Sequence, residues 1–174
     1  MRKSSLSLVL FIFLALSSIA LRSQTTDYQF NTGKKEGLFV DNSTRSGLTL
    51  RNSINSIGIE QMTFDDISGD VISLNGIFLS NDAGKPNLPS ISRHIAIPKG
   101  SDVSIKVKNV KSKTINNIDI VPAPQPQLDT DNSPAIHLRD SSVYMKNQLF
   151  PLNPYIISDK MFIRDVEVVM VSIT

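Results

Sequence analysis

The sequence contains no cysteine, no tryptophan and only 2 histidines among 174 residues. Each shortage removes a class of chemistry. Without a thiol there is no cysteine nucleophile, no disulfide staple and no lipid-bearing cysteine of the lipoprotein kind. His94 and His137 stand far apart with no cysteine to complete a ligand set, which argues against zinc. No Gly-x-Ser-x-Gly turn and no glycine-rich phosphate loop occurs, so neither histidine belongs to a recognisable triad or nucleotide site. Aromatic residues are 6% of the chain, too sparse to alternate with the lysines as a stacking platform for nucleic acid. The reading is a non-enzymatic chain with no metal and no cofactor.

Charge excludes less than its first appearance suggests. The pI of 8.9 belongs to the whole chain, and part of that basicity sits in a leader. Arg2 and Lys3 precede an almost wholly apolar stretch from Leu6 to Leu21, which ends in the small-residue pattern Ser18-Ile19-Ala20. That is the layout of a secretory signal peptide, assigned here to residues 1–23. As a membrane anchor the unbroken run Leu8–Leu16 is short for about 30 Å of hydrocarbon, so no stable membrane span is expected once the leader is cut. Taking Arg2, Lys3 and Arg22 from the 18 basic residues leaves 15 against 16 acidic ones. The expected location is secreted, periplasmic or on the outer surface.

What is present after the leader is β-pattern. Residues 24–56 read as a poorly organised arm in which a strand or two fits as well as extended chain. From residue 57 the alternation sharpens. Gly58–Phe64 and Val71–Leu74 are expected strands, with Asp65–Asp70 as turn residues and Asn75-Gly76 as a type I′ hairpin signal continuing into Ile77-Phe78-Leu79. Asn81–Asn87 packs turn formers into a loop. Ile91–Pro98 is the cleanest strand, with Ile91, Ile95 and Ile97 on one face beside Arg93. Val103–Val107 is expected to place Val103, Ile105 and Val107 inward and Ser104, Lys106 and Lys108 outward. Ile118 and Ile120 suggest a strand ending at Pro122. Pro122-Ala123-Pro124-Gln125-Pro126 is a stiff polyproline-like connection suited to crossing between sheets or lying on a partner. Val143-Tyr144 is expected to begin a short strand, and Met161–Ile173 to form one long strand apolar on both faces. A two-sided apolar strand at a terminus would be an open edge, so the domain 57–174 is expected to be truncated at its C-terminus. The fold class is all-β, an antiparallel β-sandwich or jelly-roll-like arrangement.

Two charged groupings invite function. Lys99, Lys106, Lys108, Lys111 and Lys113 form a basic stretch that reads first as a solvated strand face and second as a docking face for an acidic partner. Asp65, Asp66 and Asp70, or Asp129 and Asp131, are loop carboxylates of the kind that hold calcium, although the twelve-residue calcium-loop pattern is absent.

One spaced pattern goes further. Gly84-Lys85-Pro86-Asn87-Leu88-Pro89, then Ile97-Pro98, an alternating Val/Ile strand and Pro122-Ala123-Pro124-Gln125-Pro126 resembles the propeptide region of the gingipain-like cysteine peptidases, family C25. Tyr155, and Arg164-Asp165 before a valine-rich strand, occupy comparable places. The resemblance covers residues 57–174. It implies a signal peptide, a β-rich prodomain that assists folding and maintains latency, and a cognate catalytic domain with a Cys-His pair as partner, in cis or in trans. If that partner prefers basic residues, an arginine from a looped segment suits its pocket. Arg139, in His137-Leu138-Arg139-Asp140, is the first candidate, and Arg93, in mid-strand, the second. The alternative function is a secreted or cell-surface β-sandwich module for adhesion or structure.

Overall fold

The computed structural model describes residues 25–174 apart from Asp65 and Asp66. The leader assigned to residues 1–23, and the carboxylates of Asp65 and Asp66, lie outside the described residues.

Strands are built where β-branched residues alternate, and their pairing is antiparallel throughout. β1 (Thr25–Gln29), β4 (Ser56–Phe64) and β5 (Ile67–Ser73) form a three-stranded sheet in the order β1-β4-β5. β2 (Gly37–Thr44) and β3 (Gly47–Ser53) make a separate hairpin with a bulge between Val40 and Asn42. The largest sheet has the order β6-β7-β10-β8, with β9 also on β10. Here β6 is Phe78–Leu79, β7 Pro89–Ala96, β8 Tyr155–Ile157, β9 Met161–Ile163 and β10 Val166–Ile173. A four-residue helical turn, α1 (Ser141–Tyr144), interrupts this β-fold.

β10 is the keel. Val168, Val169 and Val171 are buried on it, and Val169 is among the largest fully buried side chains. β7 flanks it on one side, in the register Val169↔Ile95 and Ser172↔Ser92, where the two hydroxyls meet at 2.7 Å. β8 and β9 share the other side. β10 is thus paired along both of its edges, by β7 over Val168–Ile173 on one and by β9 and β8 in turn on the other. The strand is therefore not the open edge its pattern suggested.

Several boundaries differ from the sequence reading. Residues 24–56, read as a loose arm, carry three strands. β1 is zipped to β4 from Thr25↔Glu60 to Gln29↔Ser56. The β2–β3 hairpin is stitched by Arg51, which donates to Asp41 at 3.1 Å and to the buried Ser53 hydroxyl at 2.9 Å and lies over the Phe39 ring. These polar ties are invisible to a search for apolar alternation. β5 begins at Ile67, inside the stretch read as turn. At Asn75-Gly76 the chain does turn, with Leu74 bridged to Ile77, but only Gly76 takes positive φ (70°), so the turn is not type I′. β6 then pairs with β7 rather than extending that hairpin. Met161–Ile173 is two strands, folded at Arg164-Asp165 with Arg164 at φ 55° and Val166 paired with Ile163. Val143-Tyr144 lies in α1, whose start is capped by the Asp140 carboxylate accepting from the Ser142 N–H at 2.8 Å. Val103–Val107 and Ile118–Val121 do not join a ladder as strands. The first is extended but unpaired, and the second makes only the single bridge Asp70↔Ile120.

The sheets meet around an apolar cavity of about 440 Å³ lined by Ile57, Ile72, Leu88, Ile91, Phe150 and Ile173, among others. Glu36 also lines it and keeps one buried carboxylate oxygen without a hydrogen-bond partner.

Candidate partner-docking site

The proline-rich connection is the structural centre of the surface most suited to a partner. Val121, Pro122 and Ala123 are all buried, Ala123 completely. A chain that enters a core must satisfy its peptide groups there, and this one does so on two sides. Against β5, the Asp70 N–H donates to the Asp119 carbonyl at 2.7 Å and the Val121 N–H to the Asp70 carbonyl at 3.0 Å. Against the 81–87 loop, the Asn87 N–H reaches the Val121 carbonyl at 3.1 Å, the Ala123 N–H the Lys85 carbonyl at 2.8 Å, and the Gly84 N–H the Ala123 carbonyl at 3.0 Å. Proline suits this role: Pro122 fills space, and its lack of an N–H removes one donor that would need a partner. The connection therefore crosses between sheet and loop as an internal thread.

Glycine is required on both flanks. A Cβ on Gly69 would lie 2.6 Å from the Asp119 carbonyl oxygen. Gly84 takes φ +78°, and its Cβ would stand 3.1 Å from the Leu138 carbonyl oxygen. That contact exists because a second segment, residues 136–144, is strapped over the thread. The Gln125 N–H donates to the Ile136 carbonyl at 2.8 Å and the Asp140 N–H to the Gly84 carbonyl at 2.8 Å. His137 Nδ1 lies 2.9 Å from the Pro122 carbonyl, an acceptor, so this nitrogen carries the proton, and the ring stacks on Phe64 at 4.4 Å. The Tyr144 hydroxyl donates to the Ile120 carbonyl at 2.8 Å. Partial burial pushes its pKa up to about 12, with Arg139 opposing and Asp119 adding to the rise. Arg139 Nη2 bonds Asp119 Oδ2 at 2.7 Å and its guanidinium lies 4.9 Å from the Tyr144 ring centre. The hydrogen bond to Asp119 raises the arginine's pKa further.

The strap and thread together close the base of a loop, residues 126–135, which projects from the surface. Its interior is stiffened by local bonds. The Asp131 N–H donates to the Leu128 carbonyl at 2.8 Å, and the Asp131 carboxylate accepts from the Ser133 N–H (2.9 Å) and hydroxyl (2.7 Å). Those two bonds to Ser133 hold the Asp131 pKa below the ordinary carboxylate value. The Gln127 side chain reaches the Pro134 carbonyl at 3.1 Å. At the turn Leu128 is 78% exposed, an apolar side chain held out on a fixed frame. Beyond α1, Met145, Leu149 and Leu152 are also largely exposed.

The arginines proposed from sequence part company here. Arg139 is at the base of the projecting loop, engaged by Asp119 and Tyr144. To enter a partner's pocket its side chain must leave both. Arg93 is itself exposed although it shares the Ile91 and Ile95 face of β7, across from the buried Val171, and it makes one weak bond to the Ser92 carbonyl at 3.3 Å. Of the spaced motif, Gly84, Pro86 and Pro122 come together through the Pro86↔Pro122 bridge, with Pro124 one residue beyond the buried Ala123. Leu88 accepts from the Ser80 N–H and borders the cavity with Pro89. Ile97 and Pro98 lie at the other end, where the Ile97 N–H meets the Glu167 carbonyl two residues from the Asp165 turn that carries Arg164. Asp119, Tyr144 and the Phe64–His137 stack went unread, because nothing in their local sequence marks them. Among the described residues no three acidic or histidine side chains cluster as a metal site. No described helix is long and apolar enough to cross a membrane, which leaves β-barrels unaddressed.

Comparison with known proteins agrees with this architecture. The C25 propeptide family model (Propeptide_C25) matches residues 32–174. The solved structure described as bearing on the zymogenic latency of gingipain K from Porphyromonas gingivalis superposes with a TM-score of 0.70 at 14% identity, covering 87% of this chain and 86% of that one. The complex of the pro- and mature domains of RgpB from the same organism gives 0.65 at 20% identity, covering 78% of this chain and 72% of the other. No curated protein sequence matches the chain.

Proposed function

This chain belongs to the C25 propeptide family, and from that premise we propose that it is exported and docks on the catalytic domain of a cognate gingipain-like cysteine peptidase, assisting its folding and holding it latent. A propeptide of this family is non-catalytic, and the residues fit that role: there is no thiol in the sequence, and among the described residues neither His94 nor His137 is paired with a carboxylate. The observation that carries the docking geometry is the closed base of the 126–135 loop. A segment that blocks a cleft must keep its shape on binding, since ordering a floppy loop costs affinity. Here the Gln125–Ile136 bond, the Arg139–Asp119 pair and the Asp131–Ser133 bonds fix that shape beforehand. Exposed apolar groups in the loop and the strap, Leu128 and Leu138, supply area for a protein contact.

Secretion follows from the leader pattern, and the same pattern makes the periplasm or outer surface the place where the complex meets. The test mixes the processed chain with the mature peptidase encoded with it and measures inhibition of peptide hydrolysis. Dose-dependent inhibition is expected, weakened when residues 127–134 are replaced by a Gly/Ser linker. A folded β-protein that neither inhibits nor binds the peptidase would refute the proposal and return the adhesion reading.

A further inference from the structure

Residues 102–118 combine the strongest remaining β-pattern with an absence of pairing. Val103, Ile105 and Val107 alternate with Ser104, Lys106 and Lys108. Among the described residues no backbone hydrogen bond starts or ends between Asp102 and Ile118. The segment is nevertheless held at its ends. Asp102 pairs with Lys160 at 3.1 Å, the Lys113 ammonium lies over the Tyr28 and Phe30 rings at 5.8 and 5.3 Å, and the Asp119 N–H donates to the Asp70 carboxylate at 2.7 Å. Asn109 in the left-handed region (φ 54°) ends the extended run. What remains, residues 103–108, is six residues long, the usual length of a strand. Val103 and Val107 are 38% and 46% exposed.

We propose that residues 103–108 are an acceptor edge for β-augmentation, paired in the complex by an extended strand of alternating apolar and acidic residues on the cognate peptidase domain. This rests on the propeptide reading above. The charge pattern selects the occupant. Lys106 and Lys108, with Lys111 beyond the bend, make no ion pair among the described residues. An antiparallel partner places side chains directly across from them, where opposite charges attract and like charges repel. A second copy of this chain is less suited: self-pairing about Val107 sets Lys106 against Lys108 twice, and about Ile105 sets Lys106 on Ser104 and Lys108 on Asp102, so with Asp102 the one carboxylate in residues 102–108 no self-register gives both lysines an acidic neighbour. Backbone hydrogen bonds would supply the affinity, and Val103, Ile105 and Val107 would be covered by the added strand's apolar face. The same lysines keep the unpaired edge from pairing indiscriminately while it is free.

Amide hydrogen exchange on the full processed chain, alone and in complex with the mature peptidase, reads this directly. Residues 103–108 should exchange rapidly in the free chain. About half of their amides should slow at least tenfold in the complex, since an edge strand donates from alternate residues. Lys106→Glu/Lys108→Glu should keep the circular dichroism of the parent yet weaken the complex tenfold or more, with the deficit shrinking at high salt. Fast exchange in a complex that forms and inhibits would overturn this inference and leave the propeptide reading standing. Absence of any complex would overturn both. Slow exchange in the free chain would mean the edge is already paired, and would overturn the inference alone.

Discussion

Replacing Gly69 by alanine tests the internal thread at its tightest point. The new Cβ would sit 2.6 Å from the Asp119 carbonyl oxygen and 3.0 Å from Val121 Cγ2, so backbone must move rather than a flexible side-chain tip. The carbonyl that has to retreat accepts from the Asp70 N–H at 2.7 Å, and the next contact along is the Val121 N–H to the Asp70 carbonyl at 3.0 Å. Straining or losing these two bonds costs about 0.5–1.5 kcal/mol each, and overpacking a filled site costs about 1–3 kcal/mol. Gly69 does not take positive φ, so no backbone-strain penalty adds to this, and the expected loss is about 2–6 kcal/mol. Gly47→Ala is the matched control: it too lies in a strand without positive φ, and its Cβ would meet nothing within 4 Å. Urea unfolding monitored by circular dichroism gives both values with the slope as a check on two-state behaviour. In the inhibition assay Gly69→Ala should also lose potency, because Asp119 anchors the Arg139 strap that closes the projecting loop. A Gly69→Ala midpoint within experimental error of Gly47→Ala would mean that residues 119–123 do not pack against β5, and the account of the site would fall with it.

Arg139→Ala should cost about 0.5–1.5 kcal/mol, because the surface pair with Asp119 and the stacking on Tyr144 are both modest; a double-mutant cycle with Asp119→Ala should show coupling, and additive losses would refute the pair. The same variant separates two roles for Arg139: a clasp residue lowers stability and potency together, while an inserted residue lowers potency with stability intact. Tyr144 is protonated more readily in the native chain (pKa about 12) than unfolded, where tyrosine titrates near pH ~10. Its contribution is therefore fully present below pH ~10 and is lost as pH rises toward the native value. Denaturation midpoints between pH 9 and about 11.5 should fall more steeply in the parent than in Tyr144→Phe, and equal slopes would contradict the buried hydroxyl bond. Val169→Ala should cost about 1.5–3 kcal/mol through two lost buried methyl groups and the void left behind, whereas Phe78→Ala, at a side chain 86% exposed, should leave unfolding within about 0.5 kcal/mol of the parent.

The class of fold and the lack of catalytic groups are properties of local pattern and inventory. Ile91, Ile95 and Ile97 announce β7, and the valines of Val166–Ile173 announce a strand with two covered faces, because a period of two on extended backbone needs no knowledge of the partner. The absence of cysteine excludes a thiol nucleophile outright. Pairing is another matter. Val103–Val107 has as good a pattern as β7 yet stays unpaired, since a ladder depends on which backbone edge is free nearby. Polar ties such as Arg51–Asp41 help order the β2–β3 hairpin, whose few apolar residues stand among many Gly, Ser, Thr and Asn. Pro122 and Ala123, read as crossing between sheets or lying on a partner, are among the most deeply buried of the described residues, with Gly69 and Gly84 leaving room for backbone on either side.

Alternation along the chain thus dictated extended segments and their inward faces, and the residue inventory excluded a thiol, all of which can be read without knowing the partner segments. The tertiary arrangement alone chose the thread through the core, the clasp of Arg139 and Tyr144 upon it and the rigid loop it closes. Those contacts join residues distant in sequence, and the deciding terms are carbonyl positions and missing Cβ atoms, which no single segment encodes.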